Sequence, residues 1–138
     1  MYTGIAQYQN TQVSTSNPEK ILLMLYDGAV KFTRIAIDRL AKGDIAAKGL
    51  YISKAQAIVV ELMNTLDHDA GGAMASRLEQ LYIDIINEYI DANINSSAQP
   101  LENALEILTT LRDTWVEAAL IVKKERESDG TWHQARLG

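Results

Sequence analysis

The chain has 138 residues, of which 47% are hydrophobic; it carries a formal net charge of −5 and no cysteine. That length suits one domain able to bury most of its apolar surface. The acidic balance, without clustered Lys and Arg among aromatics, excludes a nucleic-acid backbone as partner, and the missing thiols exclude disulfides, zinc ribbons and thiol catalysis.

Residues 1–16 are mostly small and polar, with Ile5, Tyr8 and Val13 spread among the Gln, Thr and Ser, which predicts a mobile arm with a few apolar anchors. No cationic stretch followed by an apolar one opens the chain, so a cytoplasmic protein is expected. Unbroken apolar runs fall far short of the roughly 20 residues that cross a bilayer, so no membrane insertion is expected.

The first helix is predicted over about 17–42. Ser16-Asn17-Pro18-Glu19 supplies a capping side chain, a proline in the first turn and an acid at the positive end, and Gly43 stops the helix. Leu22, Leu25, Ala29, Phe32, Ala36 and Leu40 form one stripe, while Leu23, Tyr26, Val30 and Ile37 form a second beside it. With Met24 and Ile35 flanking the other side, the apolar arc spans roughly 240°, where a surface helix needs little more than about 100°.

Asp44 caps a second helix, predicted over 44–67, with Ile52, Ala55, Ile58, Val59 and Leu62 on its inner face. The run Asp67-His68-Asp69-Ala70-Gly71-Gly72 reads as a loop. A third helix follows over 73–94, with Met74, Leu78, Leu81, Tyr82, Ile85, Tyr89 and Ala92 inward and a surplus stripe of Ile83, Ile86 and Ile90. After turn chemistry at 95–100, a fourth helix is predicted over 99–126, with Leu101, Ala104, Leu108, Leu111, Trp115, Ala119 and Val122 inward. Residues 128–138 read as a short, poorly ordered tail. The expected architecture is therefore all-α: one domain over 1–127, an antiparallel four-helix bundle with a mobile N-terminal arm and a short C-terminal tail.

The chemistry expected of such a bundle can be tested on its residues. A di-metal carboxylate site needs Glu-x-x-His on two helices; the chain has two histidines, His68 and His133, and neither follows a Glu by three. Gly71-Gly72 lacks the Lys-Ser/Thr that would reach a phosphate, and no histidine in a predicted helix can serve a serine nucleophile. No enzyme activity, cofactor or metal is expected. Arg112 falls near the inner stripe, where a guanidinium needs a partner, and Asp27 or Asp67 could supply one.

The surplus stripes leave two readings open. Each could face a second neighbour within the bundle, or line a surface groove that receives an amphipathic helix, with the arm as its cover. On the second reading the groove residues are Leu23, Tyr26, Val30 and Ile37 on the first helix and Ile83, Ile86 and Ile90 on the third. Ile5, Tyr8 and Val13 would form the lid.

The segment Asn17-Pro18-Glu19-Lys20-Ile21-Leu22-Leu23-Met24-Leu25-Tyr26-Asp27-Gly28-Ala29 resembles the segment that marks the flagellin chaperone family, FliS. Tyr8 and Gln12-Val13 resemble its N-terminal arm, and Lys54-Ala55-Gln56, Glu61 to Asp67, Gly71-Gly72 and Leu111 to Trp115 match in order and spacing. The resemblance covers roughly residues 2 to 125. It implies a cytoplasmic bundle that captures the disordered C-terminal segment of flagellin as helices, prevents premature polymerisation and helps deliver it to the flagellar export gate. The alternatives are a bundle whose surplus stripes form a homodimer interface without a client, or a carrier with a pocket for a small apolar molecule.

Overall fold

The computed structural model describes residues 17–137, with side chains as far as Ser128. They form four helices, α1 (Pro18–Ala41), α2 (Ile45–Asn64), α3 (His68–Asn95) and α4 (Ala98–Leu137). No strand occurs among the described residues. Local chemistry sets the helix ends. Asn17 accepts from the Lys20 backbone N–H at 2.9 Å, Asp44 from Ala47 at 3.1 Å and Asp67 from Ala70 at 3.0 Å, each satisfying one donor that a helix start leaves unpaired. Between α1 and α2, Gly43 sits at φ 75°, which a side chain would resist.

Each helix packs against two neighbours: α1 and α3 both lie between α2 and α4. Direction follows from the contacts. Along α1, Gly28 approaches Ile58 and Phe32 approaches Tyr51, so the order falls along α2 as it rises along α1. Across the diagonal, Tyr26 meets Tyr82 and Thr33 meets Tyr89, so α1 and α3 run the same way.

The core joins Leu25, Tyr26, Ala29, Val30 and Ala36 of α1 to Ile52, Ala55, Val59 and Leu62 of α2, with Tyr82, Ile85 and Tyr89 of α3 and Leu101, Ala104 and Leu108 of α4. Its polar atoms are satisfied internally. Thr33 donates to the Ala29 carbonyl and accepts from Tyr89, both at 2.7 Å. Lys48, only 1% exposed, donates to the Asn93 carbonyl at 3.3 Å and to Ser96 Oγ at 3.2 Å. The ammonium thereby ties the start of α2 to the negative end of α3, where Ser96 turns the chain at φ 46°.

Burial raises the pKa of Tyr26, Tyr82 and Tyr89, and that of Tyr89 reaches about 12. The sign of the resulting pH dependence is fixed: above pH 10 the unfolded chain releases tyrosine protons that the fold retains, so stability falls as pH rises. Each buried tyrosine contributes up to about 1.4 kcal/mol of loss per pH unit across this window. Thermal melts from pH 8 to pH 12 should therefore show a steep decline beginning near pH 10, shallower in Tyr89→Phe. An equal slope in that variant would mean that Tyr89 does not contribute.

Three boundaries differ from those expected. α2 stops at Asn64 because the Thr65 hydroxyl and the Thr65 and Leu66 N–H groups turn back onto the last carbonyls. Part of the expected loop at 67–72 is a helical turn capped by Asp67, broken from the rest of α3 at Gly72, whose φ 49° and ψ −123° suit glycine alone. α4 continues past residue 126 to Leu137, since no proline follows Pro100 to stop it.

Candidate functional site

Near its N-terminus α1 does not fill the space beside α4. Leu22 and Leu23 face Trp115, Val116, Ala119, Leu120 and Val122 across a groove of about 550 Å³, a size at which partner side chains or a small ligand can be enclosed. Asn17 and the mixed charges Glu19, Lys20, Lys123 and Arg126 complete its lining. The groove wall at Trp115 is anchored from behind: the indole Nε1–H donates to the Tyr26 hydroxyl at 3.1 Å, and Tyr26 lies 2.5 Å from the hydroxyl of Tyr82. Beside it, Arg112 pairs with Asp27, one of the two partners expected for it, and with Asp113. This ion pair clamps α4 to α1 just below the groove and raises the Arg112 pKa further.

The structure separates the residues assigned to a groove by sequence. Leu23 lines the opening. Tyr26 and Val30 are buried in the core, Val30 only 7% exposed, and Ile37 packs against that core. Beyond Leu23 the second stripe of α1 therefore lies within the bundle, where Tyr26 meets Trp115 of α4 and Tyr82 of α3, and its first turn is the part that borders the groove. On α3, Ile86 is half-buried against the core, Ile83 is half-buried and Ile90 is exposed. They continue into Ile94, 75% exposed, as an apolar flank separate from the groove. Ile5, Tyr8 and Val13 lie outside the described residues.

Sequence reasoning missed α4. It confined the surplus to the first and third helices and turned Val122 inward, but Leu120, Ile121 and Val122 are all exposed. The signal was the run Ala118-Ala119-Leu120-Ile121-Val122, since consecutive residues on a helix must point to different sides. Met74, expected inward, is 63% exposed; it lies in the first turn after the break at Gly72. Among the described residues, no group of three or more His, Asp or Glu could hold a metal ion, and no helix is long and apolar enough to cross a membrane.

The family model described as flagellar protein FliS matches residues 1–122. The chain belongs to the FliS family. It is 34% identical over 122 residues to the flagellar secretion chaperone FliS of Salmonella typhimurium, covering 83% of this chain and 90% of that one. It is 30% identical over 123 residues to the protein of the same name from Bacillus subtilis, covering 89% and 91%. The Vibrio cholerae protein, also so named, is 31% identical over 106 residues, covering 77% and 78%. The FliS match takes in α1 to α3 and α4 as far as Val122, hence all of the apolar groove wall; Lys123 and Arg126 of the lining lie beyond it.

Proposed function

We propose that this FliS-family protein is a cytoplasmic export chaperone that receives the disordered C-terminal segment of a flagellin, keeps it from polymerising and assists its delivery to the flagellar export gate. The observation that carries this reading is the open apolar groove between α1 and α4. A segment that folds on binding spends about 2–5 kcal/mol on ordering and so needs a broad apolar receiving surface. The groove and the separate isoleucine flank of α3 offer two such strips, which suits a client wrapped around the bundle as successive helices. The names of the relatives, flagellar secretion chaperones, support the same assignment.

The arm has a part in this reading. Residues 1–16 precede Asn17, which lines the groove, and in this reading Ile5, Tyr8 and Val13 cover the apolar wall until the client displaces them. Sedimentation of the full chain, alone and with a peptide of the flagellin C-terminal segment, tests the assignment, and calorimetry tests the lid. The expected result is a 1:1 complex, bound more tightly once residues 1–12 are removed. A tight homodimer indifferent to the peptide would replace the chaperone reading with self-association, and equal or weaker binding after the deletion would remove the lid.

A further inference from the structure

We propose that Tyr26 and Tyr82 are positioning residues for the α1/α4 groove: their hydroxyls, joined inside the core, hold the Trp115 indole in place as its wall and so set the affinity for the segment bound there. The inference rests on the reading that the groove receives the flagellin segment. Chemistry fixes the direction of the hydrogen bonds. An indole N–H only donates, so at 3.1 Å the Tyr26 oxygen is its acceptor. The Tyr26 O–H is then free to donate to the Tyr82 oxygen at 2.5 Å. Tyr26 is fully buried and Tyr82 is 1% exposed, so water cannot take the place of either hydroxyl without opening the core. Trp115 differs: it is half-buried, with one side on the core and one on the groove.

This asymmetry gives the chain its consequence. Without the Tyr26 hydroxyl, the indole N–H loses the acceptor that the core supplies, and a buried donor without a partner is costly. The cheapest remedy is rotation toward water, which carries the ring into the groove. A comparable hydroxyl pair, Thr33 with Tyr89, lies in the same core and bonds to the Ala29 carbonyl and not to a groove side chain, and it separates loss of a core hydrogen bond from loss of the wall.

The test uses the full chain labelled with nitrogen-15, with Trp132→Phe to assign the indole resonance of Trp115. In the parent the Trp115 indole N–H should exchange slowly. In Tyr26→Phe it should exchange freely, and calorimetry should show binding of the flagellin C-terminal peptide weakened about tenfold, the scale of one lost buried hydrogen bond. Tyr89→Phe should leave both readouts within about twofold of the parent, since its ΔΔG is spent in the core alone. If Tyr26→Phe does not fold, Tyr82→Phe carries the test, because it keeps the acceptor for the indole but removes what holds it; a smaller change in the same direction is expected. A Trp115 indole that stays protected in these variants, or one that is released with peptide binding unchanged, overturns the proposal. A parent chain that ignores the peptide overturns the flagellin reading instead, and the exchange rates then still decide whether the tyrosines hold Trp115.

Discussion

Leu23→Glu should weaken binding of the proposed flagellin client by about a hundredfold or more, roughly 2.7 kcal/mol, by placing a carboxylate on an apolar contact surface. Helical content should remain that of the parent, because Leu23 is only half-buried and borders the groove. Val30→Glu makes the necessary contrast. By sequence the two residues belong to one stripe and should behave alike, yet Val30 is buried between α1 and its neighbours. A charge there should unfold the bundle, since an unpaired ion in a core is among the most damaging of single changes. Circular dichroism and calorimetry on the two variants distinguish these outcomes. A folded Val30→Glu with weakened binding would restore the whole stripe to the groove, and a Leu23→Glu that binds normally would remove the groove from the client site.

The second large effect concerns Lys48. Lys48→Ala should destabilise the bundle by about 2–4 kcal/mol, combining a cavity with an unpaired carbonyl at the end of α3. Lys48→Met should cost only about 1–2 kcal/mol, because the methionine side chain replaces most of the buried stem and only the hydrogen bonds to Asn93 and Ser96 are lost. Urea titrations of the two variants measure stem and ammonium separately. Equal losses would mean that the stem contributes nothing and the charged head everything.

The starts of α1 and α2 were legible because each uses a local signal: Asn17 and Asp44 cap through backbone N–H groups three residues on, whereas the cap at Asp67 lay inside a run that reads as a loop. The pairing of Arg112 with Asp27 was among the expected partners, since a guanidinium phased near the apolar stripe must find a carboxylate. What periodicity could not resolve was the width of the arc on α1. In a ring of four helices every member touches two others, so a broad apolar arc is ordinary, and only placement shows that Tyr26 and Val30 face inward while Leu23 does not. Lys48 was illegible for a different reason: its spacing to Ile52, Ala55, Val59 and Leu62 puts it on the inner face, but its acceptors come from another helix. The groove escaped because it depends on α4 running beside a short first turn of α1, a relation between helices that no single helix displays.

The two hydroxyl contacts between α1 and α3 are separated by the same interval on both helices, seven residues from Tyr26 to Thr33 and seven from Tyr82 to Tyr89. They therefore act like two teeth of one key. Sliding either helix by a single turn would disengage both at once and strand several polar atoms in a dry interior, whereas apolar side chains alone would tolerate the slip. Such paired polar contacts select one alignment over its near competitors. Because α1 also forms one wall of the groove, the same alignment fixes where along the bundle that opening lies.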